Sequence, residues 1–112
     1  MKNKSQIKMD FTRAYQEADQ VERIADKLIR LANKKMEQSM MHLSSAWTGT
    51  NSRYFLDKES QLKEDMIKTA RRLNHVAEDI RGIARRVYDA EMRAYEIASH
   101  RNTSSSSNGG SF

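Results

Sequence analysis

The side chains that could carry acid–base or metal chemistry in this 112-residue chain are three histidines and fifteen carboxylates, with no cysteine among them. His42, His75 and His100 are dispersed along the sequence, and the acidic residues recur at spacings that put them on solvated helix faces. No nucleophile–base pair and no metal-ligand spacing emerges from that arrangement. His75 and Asp79 stand one helical turn apart, and such a surface pair stabilises a helix by about 0.3 kcal/mol. The absence of cysteine removes a disulfide framework and a thiol nucleophile, and leaves compartment unread by redox chemistry. The pattern predicts a protein that is not an enzyme and holds no cofactor, metal or small-molecule substrate.

The formal net charge of +5 raises nucleic acid as a partner. Residues 8–44 carry seven basic and six acidic side chains, residues 52–99 carry ten and nine, and the remaining excess comes from Lys2, Lys4 and Arg101. Along the sequence the signs interleave, which reads as a solvated surface with no nucleic-acid role. No continuous apolar segment follows the basic start, so no Sec signal is expected, and no apolar run approaches the ~20 residues that span a bilayer.

The elements that must position these side chains are helices. Proline is absent, and Gly49 is the one plausible breaker in the central body. Phe11, Ala14, Ala18, Val21, Ala25, Leu28 and Ala32 step by alternating threes and fours, flanked by Ile24 and Leu31 on one side and Tyr15 and Ile29 on the other. Beyond Ala32 the step slips to Met36, Met40 and Leu43, a drift that flexible methionines can fill. The second pattern runs through Phe55, Leu62, Met66, Thr69, Leu73, Val76, Ile80, Ile83, Val87, Ala90, Ala94 and Ile97, missing only at Glu59. Beside it lies a flank of Leu56, Ala70, Ala77, Ala84 and Ala98, small enough to admit a further helix.

These patterns predict an all-α fold. A flexible N-terminus covers residues 1–9, helices cover 10–44 and 52–99 around a turn at 45–51, and residues 100–112 form a disordered Ser/Gly tail. The turn, rich in Ser, Thr, Gly and Asn, makes the two helices an antiparallel hairpin. Counting outward from Thr48 sets Tyr88 opposite Lys8, so Tyr88, Met92, Tyr95 and Ile97 should lack intrachain cover. A lone hairpin has no closed core, which predicts that two pack into a four-helix bundle.

Trp47-Thr48-Gly49 at the turn is followed by Phe55 at the start of the second seam. In a proline-free, cysteine-free helical chain of this length, that combination resembles the hundred-residue WXG family, the early-secreted-antigen-like proteins of type VII secretion, over residues ~7 to ~99. The resemblance implies a non-enzymatic protein made in the cytoplasm and exported folded, without a Sec signal, by an ATPase of the FtsK/SpoIIIE type. It implies a homodimer, or a heterodimer with a paralogous hairpin, and a larger toxin as a further cargo. The Trp-x-Gly turn and the partner's C-terminal helix end would form a two-part export signal, with Trp47, Gly49 and Phe55 on one side. The family's tyrosine followed four residues later by Asp or Glu is not met, because Met92 follows Tyr88 and Ser99 follows Tyr95. Tyr88, Glu91 and Tyr95 are the residues that would carry that half of the signal. A cytoplasmic helical adaptor or chaperone for a larger toxin or coiled-coil partner is the competing expectation.

Overall fold

In a computed structural model the described residues are 2–46 and 50–109, with side-chain environments described over 2–42 and 53–101. All the regular structure among them is helical: α1 (Lys4–Arg30), a π-helical turn (Leu31–Lys35), α2 (Met36–Ala46) and α3 (Thr50–Gly109). The chain divides into two compact units, one joining the residues up to Ala18 to those from Asp79 onward, the other Asp19–Glu78. Within each unit two helical stretches run antiparallel, consistent with a helical hairpin.

The first helix starts at Lys4 rather than at residue 10. Asn3 and Gln6 form a reciprocal cap, in which the Gln6 backbone N–H donates to Asn3 Oδ1 (2.8 Å) and the Asn3 N–H donates to Gln6 Oε1 (3.0 Å). Two orphan donors of the first turn are satisfied in this way, which extends the helix over the stretch expected to be flexible. Ile7, one turn in, is buried. At the other end α3 continues ten residues past Ser99 to Gly109, where a disordered tail was expected from composition. Extending a formed helix adds one hydrogen bond per residue fixed, and nothing before the glycine pair interrupts it. Of the turn expected at 45–51, residues 45 and 46 belong to α2 and residues 50 and 51 to α3, and 47–49 lie outside the described residues.

The slip in spacing after Ala32 has a structural counterpart. A π-helical turn holds one residue more than an α-turn, and Leu31–Lys35 absorbs the extra residue there. Met36 and Met40 thereby return to the face that Ala25, Leu28 and Ala32 define, and both are half-buried. In the same region the Lys63 ammonium meets Glu37 at 2.6 Å and the Ser39 hydroxyl donates to Glu59 Oε1 at 3.2 Å. The gap at Glu59 in the apolar pattern is thus a polar layer, whose other carboxylate oxygen is buried without a donor among the described residues.

The contact between the helices is built of alanine. In the 19–78 unit Ala25, Ala32, Ala70 and Ala77 are fully buried, with Val21, Leu28, Met66 and Leu73 half-buried beside them. In the other unit Ala18, Ala84 and Ile7 are buried, with Phe11, Ala14, Ile80 and Tyr88 around them. This corrects the seam expected for α3. Met66, Leu73 and Ile80 do face inward, but the column that closes with them is the alanine flank. The column Phe55, Leu62, Thr69, Val76, Ile83, Ala90, Ile97, expected in the core, is exposed throughout. Alanine at a helix contact lets two backbones approach closely, and that closeness leaves no room between them for the larger column.

Candidate helix-pairing surface

The two flanks of the alanine contact are treated differently. On α3 the column Ile67, Asn74, Arg81, Tyr88, Tyr95 is half-buried at every position, as is Tyr15, Glu22, Ile29 on α1. Large side chains close this side. In the unit that holds both helix ends, the Phe11 ring stacks on Tyr15 at 4.5 Å and on Tyr88 at 4.8 Å, and Arg81 lies 6.0 Å from the Tyr15 ring. Arg85 covers the Phe11 ring at 5.7 Å. Each aromatic and cation–π contact of this kind contributes about 1 kcal/mol.

The opposite flank is open. In the 19–78 unit Ile24 (56% exposed) and Leu31 (42%) stand on α1 and the turn after it, and Leu62 (52%) and Val76 (45%) stand on α3. In an antiparallel helix pair, equivalent flanking columns of the two helices lie on the same side, so these four residues share one face. Exposed apolar residues scattered singly are ordinary; a column repeating every seven residues is not.

Trp47 and Gly49 lie outside the described residues. Phe55 is an exposed member of the open column, with the Tyr54 ring edge-on to it at 5.7 Å. Tyr88 and Glu91 come together in the unit of the two ends, along an apolar groove of about 280 Å³ that Ile7, Phe11, Ala84 and Val87 also line. Tyr88 was expected to lack intrachain cover; the Phe11 ring lies against it, and Ile7, on the turn that α1 gains at its start, lines the same groove, so that Tyr88 is half-buried. Tyr95 is half-buried as well, while Ile97 is exposed as expected.

The sequence reading missed the partner of Glu91. Lys2 Nζ lies 2.8 Å from Asp10 and 3.0 Å from Glu91, tying the start of α1 to α3. The hydrogen bonds to Asp10 and then Glu91 hold the Lys2 ammonium above the usual lysine range, and the bond from Lys2 holds Asp10 below the usual carboxylate range. The Asn-x-x-Gln cap was the available signal that this segment is ordered. Among the described residues no group of three His, Asp or Glu side chains is placed to hold a metal ion, and no helix is long and apolar enough to cross a membrane.

Comparison of the chain with family models, with curated proteins and with solved structures finds no match. The surface has to be interpreted from its own chemistry.

Proposed function

We propose that the chain acts by pairing with another helical hairpin to complete a four-helix bundle, as a secreted substrate or export partner of a type VII system. The observation that carries the pairing is the face of Ile24, Leu31, Leu62 and Val76 in the 19–78 unit, apolar columns at heptad spacing left exposed by helices that close on their alanines. A seam of large apolar residues at that repeat is complementary to another helix, whose knobs it would receive between successive residues. Catalysis has no part in this reading.

The resemblance of Trp47-Thr48-Gly49 and its helical setting to the hundred-residue WXG family is what supports export, with an FtsK/SpoIIIE-type ATPase as the machine. In this reading Trp47, Gly49 and Phe55 form one half of the export signal. Tyr88, Glu91 and Tyr95 on the partner's C-terminal helix form the other. The test compares culture fluid from cells making the wild type, Trp47→Ala, or the Leu62→Asp/Val76→Asp double variant. The wild type should accumulate outside the cell and both variants should stay within. Equal release of all three, after correction for lysis, would reject export. A chain found only inside cells and bound stoichiometrically to one larger protein would favour the adaptor role.

A further inference from the structure

The charges that interleave along the sequence separate in space once the helices have paired. In the 19–78 unit the residues bordering the open face are Lys27 and Lys34 on the α1 side and Lys58, Asp65 and Arg72 on α3. All five are exposed, and among the described residues none of the four cations forms an ion pair. Lys58 lies 5.6 Å from the Tyr54 ring, a contact that leaves its charge uncompensated. The border of the closed flank is the reverse. Asp19 and Asp26 on α1 and Asp57, Glu64 and Glu78 on α3 stand there, against Arg71 alone. The open apolar face therefore has a cationic rim, four positive charges to one negative.

The geometry points to a partner that is a helical protein with apolar residues at heptad spacing and an acidic rim, in preference to a second copy of this chain. The inference rests on the pairing proposed above and specifies its partner. Two copies meeting through this face would bring Lys27, Lys34, Lys58 and Arg72 of one against the same residues of the other. Such like-charge contact opposes association and is a recognised source of partner choice in helix bundles. An acidic rim would instead convert the same four residues into interhelical pairs flanking the Ile24, Leu31, Leu62 and Val76 contact. The apolar strip is one column wide on each helix, the width of a helix seam rather than of the broad apolar face that enters an anionic bilayer.

The chain's own charge-reversed form supplies the probe. The variant Lys27→Glu/Lys34→Glu/Lys58→Glu/Arg72→Glu keeps the apolar face and offers it an acidic rim, at positions exposed enough for the helices to survive, as circular dichroism would verify. Sedimentation of the full-length wild type, of the variant and of their mixture gives three association constants. The mixed pair should be at least about tenfold tighter than either self-pair at low salt, and the advantage should shrink as salt rises. Adding Leu62→Asp/Val76→Asp to either member should abolish it. Wild type that self-associates as tightly as it binds the variant overturns the inference while leaving pairing intact. No association in any mixture overturns pairing and inference together. Wild type that stays monomeric in all mixtures and co-sediments with phosphatidylglycerol vesicles assigns the rim to a lipid surface, and overturns both.

Discussion

Val76 and Ala77 are neighbours in the sequence about 100° apart on α3, and exchanging their roles separates two packings of this chain. The structure puts Ala77 in the interhelical contact, fully buried, and leaves Val76 45% exposed. Val76→Ala removes two methyls, worth about 1.6 kcal/mol if wholly buried and roughly half that at this exposure. Alanine's better helix propensity returns about 0.5 kcal/mol, so the net loss should be about 0.3 kcal/mol. Ala77→Leu adds three carbons where the backbones are closest and should cost about 1–3 kcal/mol by forcing the helices apart. Urea unfolding followed by far-ultraviolet circular dichroism, extrapolated to low protein concentration so that self-association does not contribute, measures both. The structure requires the alanine replacement to be nearly silent and the leucine replacement severe. If Val76→Ala proves the more damaging, α3 is rotated by one column and the open face described above is the core.

Two further outcomes can be checked in the same way. Deleting Asn33 should let Leu31–Lys35 rejoin a continuous α-helix in which Met36, Met40 and Leu43 continue the three-four step. Helicity and thermal midpoint should be retained or raised, whereas deleting Lys27 should lower the midpoint by moving Leu28 and Ala32, which precede or begin the compensating turn, off the seam; equal damage from both deletions would refute the one-residue insertion. The Lys2 contacts give a pH window whose sign follows from the two shifts. Asp10, held low, contributes stability present above the ordinary carboxylate value of about 4 and lost as pH falls through its lowered value; Lys2, held high, contributes below about pH 10.4 and loses it as pH rises further. The thermal midpoint of the wild type should therefore exceed that of Lys2→Met between these limits and converge with it beyond them and at high salt, and a difference that persists at pH 2 would show that Lys2 acts otherwise.

Tyr88 and Glu91 illustrate how a site half-visible in the sequence changes meaning in the structure. Their helix and their spacing were legible. The ion pair of Glu91 with Lys2 was not, because the start of α1 depended on a cap between Asn3 and Gln6, two polar residues with no apolar periodicity to announce them. The slip at Ala32 was legible as a change of step, while its resolution as a π-turn belongs to the backbone.

The sequence alone determined that the chain is helical, where its two apolar patterns lie and that they are separated near Gly49. Period, the absence of proline and the position of turn residues are local properties, and no partner is needed to express them. Only tertiary structure decided which columns close. On α3 the alanine column, the Leu73 column and the Val76 column lie side by side and all are apolar, so periodicity cannot rank them. Close approach of the two backbones favours the smallest side chains, and that choice turns the larger column outward. In the 19–78 unit the same rotation sorts a mixed run of charges into a cationic border on one flank and an acidic border on the other.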